Sequence, residues 1–276
     1  MLDSGNMARK ISLVGIQTEA NKDKTTALQA AVSLIDEAAT LYEHIDIIVL
    51  PEYFYEMTDK DKIGAYPEAV KAAFSSLAHK YNTYIVGGTV LNRRNPEEKL
   101  RNTAVFFDRD GQAVGYYDKI HLFDALNCSE DDQESRFCVQ GDHLFTWDTD
   151  FGKIGIIICY DIRFPELARA LALQGVRFLF VPSAFYNPRI DHWTSLLKAT
   201  AIQNSMYVLG VNLYGRISPT QSFCGRSMLL DPWGVNIAGA SDKAGFFQAY
   251  VDPEYPELIS KEVGVFANRA PSLYKL

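Results

Sequence analysis

Three short apolar runs in this chain each stop at one chemically loaded residue, and they narrow the folds open to it. Asp46-Ile47-Ile48-Val49-Leu50-Pro51 ends at Glu52, Val114-Gly115-Tyr116-Tyr117-Asp118 at Lys119, and Lys153-Ile154-Gly155-Ile156-Ile157-Ile158 at Cys159. Short Val- and Ile-rich runs bounded by turn formers are buried strands. Strands are also predicted over 11–17, 84–90, 103–107, 177–181, 207–213, 227–230 and 246–251, with Asp110-Gly111 turning a hairpin toward Val114. Between them, apolar residues fall at helical spacing. Leu28, Val32, Ile35, Ala39 and Tyr42 make one stripe within 25–44. Val70, Ala73, Phe74 and Leu77 make another behind Pro67, which suits a first helical turn. Pro165 opens a helix through Leu173 that Gly175 closes, and Asp191 caps a helix reaching about Asn204. Strands alternating with helices, some joined by hairpins, make a layered α/β domain.

Nothing repeats and no Pro/Ser-rich linker divides the chain, so residues 10–276 are expected to form one domain behind a flexible extension over 1–9. No apolar run approaches the roughly 20 residues needed to span a bilayer. The amino terminus lacks the basic region and apolar core of a secretory signal, so a cytoplasmic protein with no membrane partner is expected. A net charge of −7 argues against nucleic acid, which wants clustered Lys and Arg. Cys128, Cys138, Cys159 and Cys224 then read as free thiols of a reducing compartment.

Cys159 is the sharpest chemical candidate. It stands between a strand and Tyr160-Asp161-Ile162-Arg163-Phe164-Pro165-Glu166, where backbone N–H groups and a helix start would favour a thiolate and an oxyanion. A buried, inert cysteine closing a strand is the plainer alternative. Glu52, a carboxylate straight after apolar residues, needs a partner if buried and would serve as general base. Lys119 is either an exposed lysine or an ammonium aimed at a developing oxyanion. His121 offers a rival Cys–His dyad. A zinc site from His121, Cys128, Cys138 and His143 has none of the spacings that mark such sites. His192, before Trp193, is structural or a pocket wall. The chain contains no Gly-x-Gly-x-x-Gly, P-loop or Gly-x-Ser-x-Gly.

Together these segments resemble the carbon–nitrogen hydrolase (nitrilase) superfamily over nearly the whole chain. The likeness runs from Leu13–Gln17 through Leu50-Pro51-Glu52, Tyr117-Asp118-Lys119-Ile120-His121-Leu122-Phe123 and Gly155–Glu166. It continues through Pro182-Ser183-Ala184-Phe185, His192-Trp193, Ala201-Ile202-Gln203-Asn204 and Asp231-Pro232-Trp233-Gly234 to Leu273-Tyr274. The resemblance implies a four-layer α/β/β/α sandwich and homodimers or higher homo-oligomers. It implies Cys159 as nucleophile, Glu52 as general base, Lys119 as stabiliser of the tetrahedral intermediate, and the Tyr160 backbone N–H as a second oxyanion donor. Glu134 matches a second glutamate that orients the lysine or touches substrate. No metal or cofactor is implied.

Cys-Tyr-Asp-x-Arg-Phe-Pro-Glu resembles the amidase branches, nearest to ω-amidases and deaminated-glutathione amidases. Departures at 127–132, Gln203 and Ser272 bear on substrate and dimer contacts rather than on the triad. The expected activity is hydrolysis of a small-molecule amide through a cysteine thioester. The alternatives are an N-carbamoyl or nitrile hydrolase on the same scaffold, and a catalytically silent binding protein. An acidic chain that takes a carboxylate-bearing substrate needs a local cation. Arg163 and Arg189 are best placed, Arg189 the better of the two because Arg163 is expected to brace the site through internal salt bridges.

Overall fold

Strands and helices alternate twice along the chain, and each pass builds most of one six-stranded sheet, which later strands complete. The computed structural model describes residues 9–21, 23–55, 63–124 and 133–274; Cys128 and the extension before Arg9 lie outside these residues. The first pass comprises β1 (Ile11–Gln17), α1 (Lys24–Leu41), β2 (Ile47–Val49), α2 (Glu68–Tyr81), β3 (Tyr84–Asn92), β4 (Arg101–Phe107) and β5 (Ala113–Asp118). The second comprises β6 (Phe145–Thr149), β7 (Gly152–Ile156), α3 (Pro165–Leu173), β8 (Phe178–Ser183), α4 (Ile190–Asn204) and β9 (Tyr207–Asn212). After the small ribbon β10 (Tyr214–Arg216) and β11 (Ser222–Cys224) come β12 (Met228–Leu230), β13 (Asn236–Gly239), β14 (Gly245–Val251) and α5 (Tyr255–Val263).

The sheet orders are β14-β1-β2-β3-β4-β5 and β13-β12-β9-β8-β7-β6. Each has three parallel strands at its centre, β1-β2-β3 and β7-β8-β9, with antiparallel strands outside. Central strands buried on both faces explain why their sequences are continuous apolar runs rather than alternating ones. In β2, Ile47 and Val49 face the second sheet, among Ile156, Phe178 and Val211. Ile48 and Leu50 face the helices α1 and α2, among Ile35, Val70 and Phe74. With α3 and α4 covering the far side through Leu171, Trp193 and Leu197, the layers are α/β/β/α.

Two sequence expectations shift. The sheet-facing line of α1 is Ala27, Ala31, Ile35 and Ala38, one step round from the predicted stripe, with Leu28, Val32 and Ala39 only half buried. Alanines let the helix axis approach the sheet, and the larger side chains fill the flanks. Asp191 does not cap α4: Arg189 holds the cap position without a side-chain bond, and Asp191 lies exposed in the first turn. The elements β6, β10, β11, β13 and α5 were absent from the sequence reading. Most of them are short or half exposed, so they carry too little hydrophobic pattern to be read.

Candidate active site

Each reactive side chain emerges just past the carboxyl end of a strand. In the first sheet β2 and β3 are parallel, and β5 regains that direction through two antiparallel pairings, so Glu52 and Lys119 leave on the same edge. In the second sheet the parallel pair β7 and β8 delivers Cys159 and Ala184. The two edges are joined by a hydrogen bond from the Ala184 N–H to Glu52 Oε2 at 2.9 Å. Two glycines permit the close approaches. A Cβ at Gly88, φ +63°, would strike the Pro51 carbonyl, and one at Gly141 would strike that of Asp118. Gly141 can therefore donate its N–H to the Lys119 carbonyl at 2.8 Å.

Glu52, Lys119 and Glu134 form one buried hydrogen-bonded cluster. Lys119 Nζ donates to Glu52 Oε1 at 2.9 Å and to Glu134 Oε2 at 2.8 Å. Asn102 Nδ2 donates to Glu52 Oε1 at 2.8 Å and Glu134 Oε1 at 3.0 Å. Glu134 also accepts from the Tyr53 hydroxyl at 2.6 Å and the Phe123 N–H at 2.8 Å. A carboxylate offers about four lone-pair sites. All those of Glu134 are taken, whereas Glu52 holds Lys119, Asn102 and the Ala184 N–H and has the Cys159 thiol as its remaining hydrogen-bonding neighbour. Cys159 is the least covered member, at 8% exposed against 1% for Glu52 and 2% for Lys119, so the approach from solvent is on the thiol side.

The electrostatics divide these groups. Burial pushes Glu52 above the ordinary carboxylate range; Lys119 pulls the other way, but burial, with Glu134 adding to it, prevails. Burial also acts on Glu134, but Lys119 and the hydrogen bonds from Lys119, Tyr53 and Asn102 outweigh it and hold this carboxyl low. Lys119 stays charged because Glu134 and Glu52 overcome its desolvation. Burial, then Glu52, pushes the Cys159 thiol well up. A helix start favours a thiolate, and here burial and Glu52 oppose it, so Cys159 depends on a base beside it to give up its proton.

Cys159 itself begins a 3-10 turn over Cys159–Arg163 with φ +45°, a left-handed conformation that costs a non-glycine residue of order 1 kcal/mol. Asp161, fully buried, holds the turn. It accepts from the Ile158 N–H at 2.9 Å, the Tyr117 hydroxyl at 2.7 Å, and the backbone N–H and ring Nδ1 of His121 at 2.9 and 2.8 Å. Tyr117 and His121 flank Lys119 by two residues on either side, so one carboxylate ties the lysine segment to the cysteine turn. His121 is hydrogen-bonded to Asp161, not to Cys159, and stacks on Phe164 at 3.6 Å. The dyad reading thus gives way to a bracing one. His143 bonds to Asp142 and the Tyr116 carbonyl, and Cys138 is packed beside Leu100. Among the described residues no group of three or more His, Cys, Asp or Glu side chains could hold a metal.

At the rim, Phe123, Tyr160 and Tyr186 form an aromatic wall, with Arg189 over the Phe123 ring at 5.8 Å. Arg163 lies over Phe185 at 5.2 Å and touches His192 Nδ1 at 3.3 Å; Arg189 is its electrostatic neighbour. Among the described residues Arg163 makes none of the expected salt bridges. Among the described residues neither arginine meets a carboxylate, because the rim there is built from rings rather than acids. Sequence reasoning passed over Asn102, Tyr53 and Asp161. Asp161 alone left a signal, as a lone acid beside the candidate nucleophile.

Residues 10–259 match the family model of carbon–nitrogen hydrolases. The ω-amidase NIT3 of Saccharomyces cerevisiae is 30% identical over 97% of this chain and 96% of its own. A deaminated glutathione amidase of Synechocystis is 33% identical over 92% of this chain and 96% of its own. The crystal structure of yeast Nit3, a member of branch 10 of the nitrilase superfamily, superposes with a TM-score of 0.85 at 30% identity, covering 95% of this chain and 97% of that one.

Proposed function

The chain belongs to the carbon–nitrogen hydrolase family and is an enzyme that cleaves amide C–N bonds; from that premise we propose that it hydrolyses a small carboxylate-bearing amide through a thioester on Cys159. The observation that carries the reading is the buried Lys119, at 2.9 Å from Glu52 and 2.8 Å from Glu134, set beside the Cys159 thiol on a left-handed turn.

Glu52 takes the thiol proton as Sγ bonds to the amide carbon, and the carbonyl electrons move to oxygen. Lys119 Nζ and the Tyr160 N–H receive that oxyanion; one such donor is typically worth about 3 kcal/mol. Collapse restores the carbonyl and breaks the C–N bond, and Glu52 returns its proton to the departing nitrogen, releasing ammonia. Glu52 then draws a proton from water as it attacks the thioester, and hands it to the cysteine sulfur as the acid departs. Glu134, with its acceptor sites filled, keeps its charge throughout and holds Lys119 in place.

Carboxylate recognition falls to Arg189 and Arg163, whose guanidiniums have no acid partner among the described residues. His192 holds Arg163 from the first turn of α4. A homodimer is supported by Ile202, about half exposed, beside the turn that carries the exposed Trp233 and Val235 and meets Ile202 at Gly234. We place it in the cytoplasm, where the buried thiols of Cys159 and Cys224 would stay reduced. No helix among the described residues is long and apolar enough to cross a membrane.

The test is ammonia release from a panel of ω-amides, neutral amides, carbamoyl compounds and nitriles, for the parent and for Cys159→Ala. Release from ω-amides that vanishes in the folded variant supports the reading. A preference for nitriles or carbamoyl compounds, or activity surviving the substitution, contradicts it.

A further inference from the structure

The cluster sets two carboxylates against one ammonium, and Asn102, the neutral donor that the two carboxylates share, takes no part in the steps above. Asn102 is 1% exposed on β4, opposite Leu91 of β3. Its backbone carbonyl accepts the Lys119 N–H at 2.9 Å. Its Nδ2 is the common donor to Glu52 Oε1 and Glu134 Oε1. Its Oδ1 is buried with no hydrogen-bond partner. The amide cannot simply be turned over, since Oδ1 would then face two carboxylate oxygens. A buried carbonyl left unsatisfied is a cost that a leucine of similar shape would avoid. Accepting it makes sense where the NH₂ group is what the position needs.

We propose that Asn102 is a positioning residue for the reaction assigned to Glu52, a neutral double donor that occupies Oε1 of both glutamates and leaves Glu52 Oε2 as the oxygen that takes the proton. The inference rests on Glu52 being the base. The Ala184 N–H that reaches Oε2 is also the backbone donor beside the Cys159 thiol, so Oε2 is the oxygen on the nucleophile's side. A second ammonium or a guanidinium at position 102 would hold both acids too, but would depress the basicity of Glu52. An amide holds them without adding charge. The groups facing Glu52 are Lys119, Glu134 and Cys159, with Tyr53 behind Glu134. Without Asn102, Oε1 gains an open site remote from the thiol and the two acids lose their shared donor.

The test compares the parent with Asn102→Leu and Asn102→Asp, following the pH dependence of kcat/KM on the best amide and of Cys159 alkylation by iodoacetamide. A donor to a carboxylate favours its charged form, so removing it raises the pKa. In Asn102→Leu the acid limb of both profiles moves up by about one pH unit, and kcat at neutral pH falls about tenfold or more. Asn102→Asp, which adds a third acid, moves the limb in the same direction. If Asn102→Leu does not fold, the nearly isosteric Asp variant decides by the same limb. Limbs that coincide with the parent's overturn the inference. Glu52→Gln measured alongside separates the two layers. If it stays active with an unchanged limb, Glu52 is not the base and both readings fall; if it is inactive while the Asn102 limbs stay still, only the role of Asn102 falls.

Discussion

Strand β2 has a buried carboxylate near each end, and the two behave in opposite ways. Asp46 precedes the strand and Glu52 follows it, at 0% and 1% exposed. Asp46 is met by Arg9, by Arg109 at 2.9 Å, by His44 at 3.0 Å and by the Ser12 N–H at 2.9 Å, with Asp150 outside completing the arginines' contacts. Burial acts against its charge, but the Ser12 N–H, His44 and Arg109 prevail and hold it low. Glu52 shares a single ammonium with Glu134 and is pushed up. Both side chains are covered, but Asp46 lies just beneath the half-exposed Arg9 and His44 whereas Glu52 sits among buried groups, so depth and the number of cations per acid both differ. Where cations are in excess the acid braces the sheet, and where they are short it keeps affinity for a proton.

The sharpest way to break this comparison is to remove the charge at each end. Glu52→Gln is expected to lower kcat/KM by about a thousandfold or more, since both half-reactions need the base, with a modest change in stability. Asp46→Asn should leave kcat within about twofold and cost about 2–3 kcal/mol of stability, a modest figure because Arg9 is half exposed. Steady-state kinetics with thermal and urea unfolding check both. Comparable losses of activity at the two ends would dissolve the distinction.

Lys119→Met comes next. As a contact made chiefly in the transition state it should lower kcat by about 100- to 1000-fold with a smaller change in KM. A raised KM at normal kcat would return Lys119 to a merely structural place. The pH dependence of stability separates the ends again. Asp46, low when folded, contributes stability that is present above the unfolded aspartate value of about 3.9 and is lost as pH falls through its folded pKa. Glu52, raised when folded, binds its proton more readily in the native state, so ionising it costs stability as pH rises above the unfolded glutamate value. Acid unfolding should therefore begin at lower denaturant in the parent than at neutral pH, and Asp46→Asn should flatten that dependence while Glu52→Gln does not.

The smallest effect belongs to the rim. Arg189→Ala should reduce kcat/KM on an ω-amide acid by about 10- to 100-fold and spare its neutral counterpart of similar size. Equal losses on both substrates, or a parent that prefers the neutral one, would remove carboxylate recognition from the account.

The contrast between the two ends also marks what could be read in advance. Glu52, Lys119 and Cys159 were legible because each interrupts an apolar run, and a strand end is where a buried sheet can expose one side chain. Ile11–Gln17 and Pro165–Leu173 were legible to the residue, through a continuous apolar run in one and Pro165 in the other. Asn102 and Asp161 were not, since their role lies in partners 50 and 44 residues away that only the fold brings near. Among the described residues Arg163 meets rings rather than acids, and which of the two an arginine meets depends on neighbouring loops that sequence does not place. The helix start behind Cys159 is visible in sequence, whereas the desolvation that pushes its thiol up is not.

The claim on which all of this depends is that Cys159 carries the acyl group. Enzyme mixed with a slowly turned-over amide, quenched in acid and digested, should show by mass spectrometry an acyl mass on the peptide containing Cys159, at an amount that follows turnover. An acyl mass found only on Cys128, Cys138 or Cys224, or continuing turnover with Cys159 unmodified at every time sampled, would contradict it.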